Sequence, residues 1–144
     1  MNKMEKIVTN FKIQELKTEI QSLDLCEEYN EKVSYCGIWA GNSYRSKLKL
    51  YKILPFNRFC YIHDKGYFLL NEYFKYLSFF YFLYFKFLID YIFLKNMINA
   101  TREQKNVLIK IYKIIVSFLF ISIVILATPL YYAGFWRKNK NKRI

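Results

Sequence analysis

The first part of the chain has a helical rhythm. From Glu5 to about Tyr29 the apolar residues Ile7, Phe11, Ile13, Leu16, Ile20 and Leu23 recur at mostly helical intervals among Lys, Glu and Gln. This pattern predicts an amphipathic helix. Both charge signs occupy its polar face, so it is expected to pack against the rest of the domain rather than lie on a membrane. The rhythm stops between Val33 and Pro55, where Gly37, Gly41, Asn42 and Ser43 precede a basic stretch from Arg45 to Lys52 and a Leu54-Pro55 step. Irregular backbone is expected there. Pro55 and Asn57 then provide start signals for a helix that opens near residues 56 to 58 and runs through Phe59, Tyr61, His63 and Tyr67 into the mid-seventies.

Two long apolar runs follow. Tyr76 to Leu94 is long enough to cross a bilayer, but Lys86 and Asp90 interrupt it. Their spacing puts both on one helical face, where they can pair, and an ionisable residue in such a run is either half of an ion pair or part of a site. Ile114 to Ala133 carries no charge and is flanked by Lys110 and Lys113 on one side and by Arg137-Lys138-Asn139-Lys140 on the other. It predicts a C-terminal transmembrane helix within 107–136, with Tyr131, Tyr132 and Trp136 as interfacial aromatics and Pro129 in the last turns, where a kink is tolerated. The basic tail, 137–144, points to a single pass with a cytoplasmic C-terminus. The resulting organisation is an amphipathic helix over 1–32, a core over 33–100, the membrane helix and the tail.

Composition supports an all-α chain: 54% hydrophobic and 21% aromatic residues come with only 4 Gly and 2 Pro, too few for a turn-rich β fold. A net charge of +12 draws the chain toward anionic surfaces. The near-bilayer-length runs favour a phospholipid membrane as the partner over nucleic acid, and no recognition-helix or zinc-finger pattern is present. The cysteines Cys26, Cys36 and Cys60 allow at most one internal disulfide and lack the paired short spacings of a zinc site. Residues 1–6 lead into no apolar stretch of signal-peptide type, so no cleavable signal is expected.

Candidate chemistry concentrates on the helix after Pro55. Cys60, His63, Asp64 and Tyr67 stand at i, i+3, i+4 and i+7 and therefore share one stripe; His63 is the only histidine. Burying such groups unpaired would be costly, so they are expected to have partners. Asp64 offers oxygen ligands to a hard cation.

The segment Cys60-Tyr61-Ile62-His63-Asp64-Lys65-Gly66-Tyr67 resembles the catalytic helix of secreted phospholipases A2. Upstream, Tyr35-Cys36-Gly37-Ile38-Trp39-Ala40-Gly41 is similar to that family's calcium loop. Downstream, Asp90-Tyr91-Ile92-Phe93-Leu94-Lys95-Asn96-Met97 resembles its second long helix. The likeness spans roughly residues 33–98. Trp39 in the loop and the short separation of His63 from Asp90 are closer to the compact microbial and viral-type branch, and Gly66 stands where the family has a cysteine.

The resemblance implies a core of two antiparallel catalytic helices with a calcium loop. Ca²⁺ would be held by the Asp64 carboxylate and the backbone carbonyls of Tyr35, Gly37 and Trp39. His63 would act as general base on a water attacking the sn-2 ester of a phospholipid, while Asp90, steadied by Tyr67, fixes the imidazole. The Gly37 amide would face the oxyanion. A Cys36–Cys60 disulfide would tie loop to helix, which suits a catalytic domain on the secreted side of the membrane. The competing expectation is a non-catalytic small cationic membrane protein with a degenerate core, in which Asp90 pairs only with Lys86.

Overall fold

In a computed structural model the described residues are 3–23 and 57–139, and all their regular structure is helical. Helix α1 (Lys3–Gln21) is followed by α2 (Asn57–Tyr73), a 3-10 turn (Phe74–Tyr76), α3 (Phe79–Arg102), α4 (Val107–Leu126) and α5 (Thr128–Asn139). Local signals set several of these ends. Ser78 accepts a hydrogen bond from the Tyr81 amide, so α3 starts at Phe79, inside the Tyr76–Leu94 run and not at its edge. Asn106 caps α4 by accepting from the Leu108 and Ile109 amides.

Helices α2 and α3 run antiparallel: Phe74 meets Phe82 near one end of the pair, and His63 meets Asp90 further along. Gly66 is what lets them approach. A Cβ built there would lie 2.7 Å from Ile89 Cγ2 and 3.1 Å from Leu23 Cδ1, so any side chain would require Ile89 to shift. Helix α1 crosses α2 on the other side, burying Ile13, Leu16 and Ile20, and Tyr73 donates to Glu19. Burial pushes the Tyr73 phenol up, as does its bond to Glu19, so it remains a neutral donor. Only the second half of α1 packs as expected, however. Ile7 and Phe11 are 56% and 66% exposed.

The expected single C-terminal membrane helix is corrected. The run is divided at Ala127 into α4 and α5, so among the described residues the one helix long and apolar enough to cross a membrane, Val107–Leu126, is followed by another. Pro129 explains the break: it has no amide hydrogen to offer the Ile125 carbonyl. That carbonyl is satisfied instead by the Thr128 hydroxyl at 2.7 Å and by the Ala127 amide. Helix α5 then turns back onto the core, where Tyr131 stacks on Tyr67, Phe135 lies against Phe74 and Phe82, and Asn139 donates to Asn71.

Candidate functional site

Lys86, Asp90 and His63 are all buried, at 0%, 3% and 6% exposure, so each must find its partners within the protein. They find one another. His63 Nε2 lies 3.0 Å from Asp90 Oδ1, which also accepts from the Tyr67 hydroxyl at 2.8 Å. The second oxygen, Oδ2, accepts from Lys86 Nζ. Three donors thus converge on one carboxylate and favour its charged form.

An ionised carboxylate only accepts, so His63 must donate through Nε2–H. The lone pair of the neutral ring is then on Nδ1, the nitrogen turned away from Asp90. Tyr67 meets the imidazole edge-on at 4.5 Å, and Phe93 lies 4.6 Å away on a tilted plane. The ring is therefore held by packing as well as by its hydrogen bond. Burial, followed by the nearby Asp90 charge, raises the Tyr67 phenol far above its ordinary range, which keeps it a donor.

The structure brings some of the expected residues together. His63, Tyr67 and Asp90 come together across α2 and α3. Asp64 follows His63 on α2 and is partly exposed. The two readings of Asp90 turn out not to exclude each other, because one oxygen serves His63 and Tyr67 while the other serves Lys86. Cys60 is buried and disulfide-bonded. Its partner, together with the loop residues Tyr35, Cys36, Gly37 and Trp39 and with Cys26, lies outside the described residues.

Two features were not anticipated. Lys86 Nζ also donates to the Val124 carbonyl at 3.1 Å, so one ammonium caps the end of α4 and neutralises Asp90. A helix C-terminus favours a cation there, and the four-residue step from Lys86 to Asp90 was the only sequence signal of this role. Tyr131, stacked 4.6 Å from Tyr67, had no signal in the pattern of its own segment. Its docking also places Asn139, in the basic tail, beside α2.

A hard cation would suit the Asp64 carboxylate, although among the described residues no group of three or more His, Cys, Asp or Glu side chains gathers. Further ligands would have to be carbonyls or come from elsewhere in the chain. No family model, curated protein or solved structure matches this chain.

Proposed function

We propose that the chain is a Ca²⁺-dependent, phospholipase A2-like hydrolase that cleaves the sn-2 ester of phospholipids at a membrane to which α4 holds it. The observation that carries this reading is the shared Asp90 oxygen, on which His63 Nε2 and the Tyr67 hydroxyl converge at 3.0 and 2.8 Å. This geometry orients an imidazole so that Nδ1 can accept a proton.

In the proposed reaction His63 Nδ1 takes a proton from water as the water oxygen bonds to the ester carbonyl carbon. The ester C–O bond then breaks, and the same proton passes to the departing lysophospholipid oxygen, leaving free fatty acid and a neutral imidazole. Asp90 stabilises the transient imidazolium, and Tyr67 keeps Asp90 in place. Bound Ca²⁺, held by Asp64 and the carbonyls of Tyr35, Gly37 and Trp39, would supply electrophilic stabilisation alongside the Gly37 amide. Tethering by α4 raises the local concentration of substrate.

Fatty-acid release from phospholipid vesicles, measured with calcium and with a chelator, tests the proposal. His63→Gln should lower the rate by about 10²-fold or more, given the usual contribution of a positioned base. Equal rates in the two proteins would exclude it. One observation favours a second reading, a non-catalytic membrane protein: Lys86 donates to Asp90, so that carboxylate already has a charge partner within the protein. Absence of calcium-dependent release from the native chain would select that reading.

A further inference from the structure

The described helices have two unlike sides. Among the described residues of α2 the exposed positions are Arg58, Phe68 and Glu72, with Asp64 and Lys65 partly exposed, so charged and polar groups are mixed with one aromatic. On α3 the outward stripe is Phe80, Tyr84, Phe87 and Tyr91, at 80%, 51%, 46% and 61% exposure, and it contains no charge. These four residues are spaced as one helical face. The two charges in the same stretch, Lys86 and Asp90, point the other way and pair with each other. The stripe ends where the charged residue Lys95 becomes exposed.

Helix α4 lies antiparallel to α3, with Val124 beside Lys86 and Phe120 beside Phe93. Its own outward residues include Ile115, Phe118 and Leu119, each more than half exposed. Its serine hydroxyls are satisfied within the helix: Ser117 donates to the Lys113 carbonyl and Ser122 to the Phe118 carbonyl. Helices α3 and α4 pack against each other, so acyl chains at the outside of α4 would lie within reach of the outside of α3.

We infer that α3 is a second lipid-contacting helix, its Phe80–Tyr84–Phe87–Tyr91 face meeting acyl chains beside α4 while α2 stays on the polar side. This rests on the reading of α4 as a membrane helix and is independent of the hydrolysis reading. Several observations favour lipid over a second copy of the chain. The α3 stripe and the outward Ile115, Phe118 and Leu119 of the adjacent α4 are all apolar or aromatic, and large bare patches of this kind mark interaction surfaces. A net charge of +12 repels another copy and attracts anionic head groups. Tyrosines within the stripe suit a helix near the lipid–water boundary. The inward pairing of Lys86 with Asp90 is what ionisable residues do in a lipid-covered helix.

The test uses the full chain with Trp39 and Trp136 replaced by Phe and a single tryptophan introduced as Tyr84→Trp, Phe87→Trp or Tyr91→Trp. Phe118→Trp on α4 and Glu72→Trp on α2 are the references. Each protein is reconstituted in phosphatidylcholine–phosphatidylglycerol vesicles, with far-UV circular dichroism confirming the helical content of each variant. The α3 probes should be quenched by acyl-brominated lipid to the same extent as Phe118→Trp, while Glu72→Trp should respond only to aqueous iodide. If Phe118→Trp is quenched but all three α3 probes respond to iodide, or to neither quencher because protein covers them, the inference fails and the membrane reading of α4 survives. If Phe118→Trp itself escapes lipid quenching, both fail.

Discussion

Removing Asp90 alone should be more damaging than removing Lys86 and Asp90 together. The Lys86 side chain is 0% exposed and the Asp90 side chain 4%, so neither charge left alone can be hydrated. In Lys86→Met, Asp90 keeps its bonds to His63 and Tyr67, but Val124 loses its donor. A broken buried pair costs about 3–5 kcal/mol, and the two surviving donors put this variant at the lower end. Asp90→Leu should be worse, because the ammonium retains only one carbonyl while His63 and Tyr67 both lose their acceptor. The double variant buries no charge; it leaves unpaired neutral groups at about 1–3 kcal/mol each, and so should be more stable than Asp90→Leu alone. Equilibrium unfolding in mixed micelles, followed by far-UV circular dichroism, closes the cycle. Strict additivity of the two single losses, or a Lys86→Met cost below about 1 kcal/mol, would refute a coupled and dehydrated pair.

Gly66→Ala sets overpacking of about 1–3 kcal/mol against Ile89 in opposition to about 1 kcal/mol of improved helix propensity. A net loss is expected by denaturant titration, reversing to a gain in an Ile89→Ala background, where the clashing Cγ atoms are gone. Tyr67→Phe keeps the stack on Tyr131 but deletes a hydrogen bond to a charged acceptor. It should cost about 1.5–3 kcal/mol in the same titration. Cys36→Ser should release Cys60 for alkylation in unfolded, non-reduced protein, and Cys26→Ser should not. Mass spectrometry reads the label, and the opposite result would make Cys26 the partner of Cys60.

The sequence was most informative where a signal is local. The period of apolar residues and the Pro55 and Asn57 signals located α2, whose first residue is Asn57. The i, i+3, i+4, i+7 stripe placed His63 and Tyr67 on one face, and both reach Asp90. Lys86 and Asp90, one turn apart, were legible as a pair for the same reason. Pro129 marked a weak point, yet the extent of the break at Ala127 did not follow from it. A transmembrane helix can absorb a proline when neighbours re-satisfy its carbonyls.

What the chain determined alone is helical content, the stripe of polar groups on α2 and the apolar character of α4, because each depends on residues within a few turns of one another. Tertiary structure decided the rest. It joined His63 to Asp90 across a separation of 27 residues, and it directed Lys86 both to Asp90 and to the end of α4. It left Ile7 and Phe11 uncovered despite their place in an amphipathic pattern, and it gave Gly66 its purpose at the Ile89 contact. Periodicity fixes which side of a helix is apolar, whereas the packing of distant segments settles what that side touches and how a buried charge is paired.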